Sequence, residues 1–129
     1  MRGGDGRESG AAAIQGVIVY PVVFLLIFAM VQGAVYFHGD NVARHVANGA
    51  VQVARLDGAT DADGYAEADA RLAQASSALG SPQVHITRTT AQVSATVRGT
   101  VATLVPGVKL TVRQTAVGPV ERFTSRGQP

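Results

Sequence analysis

From Ser9 to Gly39 the chain carries no Asp, Glu, Lys or Arg. Within that run, Ala11 to Phe37 is apolar on every helical face, with no polar stripe to meet water. A helix needs about 20 residues to cross roughly 30 Å of hydrocarbon. This run is long enough to span, with length to spare for tilt. The reading is a transmembrane helix over residues 11–38. A cleavable secretory signal is the competing reading. It would have an apolar core of about 7–15 residues and a small-residue cleavage site. The stretch here is longer, and the best candidate for such a site is Val31-x-Gly33.

Several residues inside the span point to contact with other helices. Pro21 removes a backbone donor, which a membrane helix tolerates when neighbours re-satisfy the freed carbonyl. Gly16, Gly33 and Gly39 leave thin places where another helix can approach. Gln15, Tyr20 and Gln32 are polar and favour a protein neighbour over lipid. Flanking charge says little about orientation. Arg2 and Arg7 are offset by Asp5 and Glu8, and beyond the span Asp40, Arg44, Arg55 and Asp57 also cancel. The two arginines of the short tail favour the N-terminus inside.

Helical periodicity continues past the span. Val42, Val46, Gly49, Val53 and Leu56 recur at spacings of three and four, which predicts an amphipathic extension over residues 39–57. Asp57-Gly-Ala-Thr-Asp-Ala-Asp-Gly64 is a loop by composition. It fails as a calcium loop, because counting from Gly64 puts Ala59 and Ala70 where an EF-hand places acidic ligands. Tyr65, Ala68, Leu72, Ala75 and Leu79 predict a second helix over about 62–79, ended by Gly80-Ser-Pro82. Strands follow: Val84 and Ile86 alternate, Thr89-Thr-Ala91 turns, and Val93, Ala95 and Val97 alternate again. Gly99 is read as a separator before a strand from Thr100 to Val105. Pro106-Gly107 then turns the chain into a fourth strand with Val108, Leu110 and Val112. The expected fold is α+β and membrane-anchored. A long N-terminal transmembrane helix extends outside the membrane, followed by a second helix and a small antiparallel sheet of three or four strands.

Composition narrows the chemistry. There is no cysteine, so disulfides, thiolate metal sites and a cysteine nucleophile are excluded. His38 and His45 are seven residues apart on a helix, about 10 Å, too far for one metal ion; His85 falls on the solvent side of a strand. No phosphate loop, Gly-x-Ser-x-Gly or His-Glu-x-x-His is present. The expectation is no enzyme, no metal, no cofactor and no small-molecule substrate. Residues 57–71 are acidic and residues 88–126 basic. They read either as solvated faces or as surfaces for head-to-tail contact between copies or partners. Nucleic acid is not expected, since the chain has a single lysine and the basic region 88–126 has no aromatic before Phe123.

The N-terminal order of features carries a resemblance. A charged leader ends in Ser9-Gly10; small residues follow, then polar Gln15, then a long apolar helix with an early Pro21. This resembles a type IV pilin or pseudopilin precursor. Gly10-Ala-Ala-Ala-Ile-Gln-Gly-Val-Ile-Val-Tyr-Pro21 is similar to the start of TadE-like proteins of tight-adherence (Tad/Flp) pilus systems. Val31-Gln-Gly-Ala-Val-Tyr-Phe-His-Gly-Asp-Asn-Val-Ala-Arg44 and Val117-Gly-Pro-Val-Glu-Arg-Phe-Thr124 resemble actinobacterial members.

The resemblance implies a pilin-like structural subunit, a minor pilin or pseudopilin, at the cell membrane with its N-terminus in the cytoplasm. A prepilin peptidase would cut between Gly10 and Ala11. Gln15, Gly16, Pro21, Gln32 and Gly33 would serve helix packing. Partners would be other pilin subunits, assembly platform proteins, the peptidase and membrane lipid. The implied organisation is a cytoplasmic leader 1–10, the span 11–38, the extension 39–57, an extracytoplasmic head 58–124 and a flexible tail 125–129. Gln15 departs from the family pattern, which carries a glutamate five residues after the cut. An amide still accepts a hydrogen bond but brings no charge to pair with a neighbour's new α-amino group, and it costs less than a carboxylate to hold in lipid. Two alternatives stay open: an unprocessed single-pass adaptor or binding module, and a secreted binding protein cut near Gly33.

Overall fold

The structure, a computed structural model, describes residues 5–75 and 77–122, the first five of these as backbone alone. Residues 1–4 of the leader and the tail 125–129 lie outside the described residues. The elements are α1 (Asp5–Ala54), α2 (Asp61–Gln74), β1 (Gly80–Arg88), β2 (Gln92–Val101) and β3 (Leu110–Pro119). The strands form one antiparallel sheet in the order β1-β2-β3. This is the α+β architecture expected, with three strands. The chain divides into two compact units, one ending at Ala34 and the other starting at Val35.

From Asp5 on, the first unit is helix alone. An apolar medium favours this conformation because the helix satisfies its backbone groups internally. Pro21 lies inside α1, which continues through it; the proline supplies no N–H to the carbonyl four residues back. The helix has a mean hydropathy of 2.5 in its most apolar window, of which none is buried within the molecule. Length and composition suffice to cross a membrane.

The second unit packs the end of α1 and α2 on one face of the sheet. Ala43, Val46, Ala47, Ala50, Val51 and Ala54 of α1 are buried against Ile86, Val93, Ala95, Val97, Val101 and Val112. The buried face of α1 is rotated from the expected stripe. Val46 and Gly49 are buried as expected, but Val42 and Val53 are half-buried and Leu56 is 45% exposed. Alanines occupy the centre because the valines of the sheet fill the space, and small residues opposite let the layers close. Glycines mark the closest approaches. A Cβ on Gly39 would strike the Val101 side chain, and one on Gly118 would lie 2.8 Å from Val51 Cγ1. The sheet therefore lies along α1, with the end of β2 by Gly39 and the end of β3 by Val51.

Helix α2 is shorter than its periodicity predicts. It stops at Gln74, where the Ala75 N–H donates to the Arg71 and Leu72 carbonyls at 3.2 Å. Leu79 belongs to the connection, packed where a Cβ on Gly99 would be 3.0 Å from its own Cβ. At the other end of α2, the Asp63 carboxylate accepts from the Thr60 N–H at 2.8 Å and from its hydroxyl at 3.1 Å, as in a capping box. Tyr65 Oη accepts the Ile86 N–H at 3.1 Å, so α2 covers a donor on the edge strand β1.

Strand β2 alternates cleanly: Val93, Ala95, Val97, Gly99 and Val101 point inward. Gly99 does not end a strand, contrary to the expectation. It is an inward position left without a side chain so that Leu79 fits. Thr100 and Val101 continue β2, residues 102–109 form the connection, and the expected third and fourth strands reduce to one, β3. Gly80-Ser-Pro82 likewise opens β1 rather than merely ending a helix. The register shifts between Gly80 and Gln83, which places Pro82 in an irregular part of an edge strand. The β1–β2 turn falls where expected, with the Thr89 N–H donating to the Gln92 carbonyl at 2.8 Å.

Candidate functional site

Apart from Gly39, which packs against Val101 in the second unit, the residues singled out in the span lie on the first unit's stretch of α1. Gly10 and Ala11 are exposed, and the space around Gly10 is open to 4 Å. The bond between them sits inside the helix, four residues or more from its start at Asp5. Cleavage there requires the helix to open locally. Glycine makes that easier, since it costs a helix about 1 kcal/mol relative to alanine.

The five residues expected to serve helix packing do not share one face. At about 100° per residue, Gln15 and Gly33 stand in line, about five turns apart, while Gly16 and Pro21 point elsewhere. Gly16 belongs to a shallow groove with Ala12, Ala13, Val17, Tyr20 and Pro21. The Tyr20 ring lies one turn on from Gly16, 3.2 Å from where its Cβ would be. Gln15 lies on roughly the opposite side from this groove. Of the groove residues, Gly16, Tyr20 and Pro21 stand out in the sequence by residue type, whereas Ala12 and Ala13 do not. The signal was available in the small residues Ala12 and Gly16, one turn apart and followed by Tyr20. Gln32 and Gly33 are half-buried.

In the second unit, charged side chains mostly serve the fold. Arg88 donates to the carbonyls of Ala59 and Leu56, the latter at 3.4 Å, and so closes the loop after α1. Arg122 donates to the Thr90 carbonyl, and Arg55 pairs with Glu121 at 3.3 Å. Arg71 pairs with Glu67 at 2.7 Å and contacts His45 Nε2 at 2.8 Å, lying over Gly49. Asp40 accepts from Gln114 Nε2 at 2.6 Å. An open groove between the α1–α2 loop and the far end of the sheet is lined by Asp57, Asp61, Arg88, Glu121 and Arg122.

The outer face of the sheet is polar. Arg98 stands directly opposite Arg113, and His85 opposite Thr96. Thr96 and Thr115 share a hydrogen bond of 3.0 Å across the strands. The three histidines are dispersed: His38 is exposed on α1, His45 lies against Arg71, and His85 contacts Thr87. Among the described residues no three His, Asp or Glu converge as a metal would require. The arrangement offers two surfaces: an exposed apolar stretch of α1 from Ile14 to Met30, and a small head whose outer sheet face is polar.

Comparison with known proteins bears on the helix. Residues 10–55 match the family model described as TadE-like protein, from the residue before the expected cut to the end of α1. No curated protein and no solved structure matches the chain.

Proposed function

We propose that this chain, TadE-like over residues 10–55 and in that sense associated with Tad pili, is a minor pilin or pseudopilin subunit. The observation that carries the reading is the exposed face of α1. Side chains from Ile14 to Met30 stand open on all sides, Tyr20 and Leu25 by about seven tenths. Covering one large apolar side chain stabilises by about 1.5–3 kcal/mol. Such a helix stays in lipid or leaves it only into a bundle of similar helices, which is what assembly of a pilus requires. The product of this protein is then an assembly rather than a reaction, with no cofactor and no catalytic residue.

In this reading the chain spans the cell membrane once, with the leader in the cytoplasm and the head outside. Prepilin peptidase cuts after Gly10, and the new amine at Ala11 joins a helix bundle with other pilin subunits and platform proteins. Gln15 offers that amine a neutral acceptor. A charged pair would hold register more strictly, so this subunit enters the assembly once or rarely, as an initiator or tip. The position of the Gly10–Ala11 bond within a helix favours a second reading, an unprocessed membrane-anchored adaptor.

Intact mass of the chain from native membranes separates the two. A start at Ala11 supports processing and assembly. A start at Met1 or Arg2 overturns it in favour of the adaptor, and a start near Gly33 overturns both.

A further inference from the structure

Beyond Phe37 the exposed large hydrophobic residues are few among the described residues: Leu56, Leu104, Val105, Val108 and Val117. Three of the five fall in the connection 102–109, at 45%, 53% and 43% exposure. Clustered exposed apolar residues mark a surface that meets something apolar. The place of this loop in the fold says what it meets.

Strand β2 starts by the Arg55 end of α1, where the Val120 N–H donates to the Ala91 carbonyl and the Glu121 N–H to the Arg55 carbonyl. It ends at Val101, against Gly39. Loop 102–109 therefore emerges where the charge-free stretch of α1 ends. Gly39 is only three residues past Tyr36, about 4.5 Å along a helix. Tyr36 packs edge to face with Phe37, and tyrosine is a residue enriched at headgroup level.

The loop is suited to that depth. It contains no acidic residue, and its one charge is Lys109. Thr103 Oγ1 accepts the Val105 N–H at 3.1 Å, and the Val105 carbonyl accepts the Val108 N–H at 3.3 Å. Gly107 supplies the left-handed residue of the turn, at φ +80°. With these groups paired within the turn, its apolar tip can leave water at small cost.

We propose that loop 102–109 is a second membrane contact. Leu104, Val105 and Val108 enter the boundary between headgroups and acyl chains, and Lys109 reaches anionic headgroups. This rests on reading α1 as a bilayer anchor. It pins the head at the surface before assembly, and extraction into a fibre would have to break it.

The absence of cysteine makes a direct test clean. Single cysteines are placed at Phe24 in the anchor, at Val105 and at Thr87 on the far half of β1. Each full-length chain is labelled with an environment-sensitive dye and reconstituted in phosphatidylcholine–phosphatidylglycerol vesicles carrying spin-labelled lipid. The expected result is blue-shifted, lipid-quenched emission at 24 and 105 but not at 87. Leu104→Asp should return the emission at 105 to that at 87. If 24 is quenched and 105 behaves like 87, or ignores Leu104→Asp, the loop proposal fails while the anchor stands. If 24 is not quenched, the anchor reading fails and takes the proposal with it. A dye at 105 that is shielded without lipid quenching, with disulfide formation between unlabelled Val105→Cys chains, overturns it in favour of a second copy.

Discussion

Gly64→Ala pits two effects of known size against each other inside α2. Alanine is the better helix former by about 1 kcal/mol. An exposed site would show that gain in full. Gly64, however, is buried between α1 and the sheet, and a Cβ there would lie 2.9 Å from Ile86 Cδ1, 3.0 Å from Ala54 Cβ and 3.3 Å from the Ala50 carbonyl oxygen. Ile86 Cδ1 ends a flexible side chain and can swing away. Ala54 Cβ and the Ala50 carbonyl belong to α1 and move only with it, so the two helices must separate by a few tenths of an ångström. Forcing a methyl into a packed site costs about 1–3 kcal/mol. The net is a loss of about 0–2 kcal/mol. At about 4–8 °C per kcal/mol for a domain of this size, Tm of the head falls.

The assay is thermal unfolding of the full chain in mild detergent, followed by circular dichroism. Ala66→Gly, exposed on the same helix, calibrates the propensity effect. Gly64→Ala combined with Ala54→Gly should lose less than the two single changes together, by roughly 1 kcal/mol, because the clashing methyl is gone. A rise in Tm for Gly64→Ala equal to the Ala66→Gly loss, or strict additivity in the cycle, would refute the close packing of α2 on α1.

Arg88→Ala should cost about 1–3 kcal/mol, since it leaves the Ala59 and Leu56 carbonyls without a charged donor, with Arg88→Lys recovering part; the same melts read this. Arg113→Thr should stabilise the sheet by about 0.2–1 kcal/mol by removing like charges set directly opposite, and the gain should shrink in high salt. Val97→Ala, at a fully buried position, should cost about 2–3 kcal/mol from two lost methylene equivalents and the cavity left behind. Gln15→Glu should increase incorporation into sheared pili relative to membranes, as judged by blotting; an unchanged distribution would remove the meaning given to this position.

The sequence was informative wherever the signal is local. The uncharged run of α1, the alternation of Val93, Ala95 and Val97 and the turn at Thr89–Ala91 could each be read from a handful of neighbouring residues. The residues of the span expected to pack against other helices were less legible. Their types say that a helix approaches, but a single helix does not say which face it approaches. The small-residue groove at Gly16 and the line through Gln15 and Gly33 are different faces.

By itself, then, the sequence determined an anchor, a second helix and a strand-rich head without cysteine chemistry. These follow from composition and period, which act over a few residues. Tertiary structure decided the rest. The valines of the sheet made an alanine face, rather than the Val42–Leu56 stripe, the buried side of α1. The void at Gly99 let β2 run on past an apparent break, because Leu79 arrives from a distant part of the chain to fill it. Strand direction, set by pairing, carried loop 102–109 to the level of Gly39 on α1. Each of these depends on what lies opposite a residue in space, and that is settled only when the layers close.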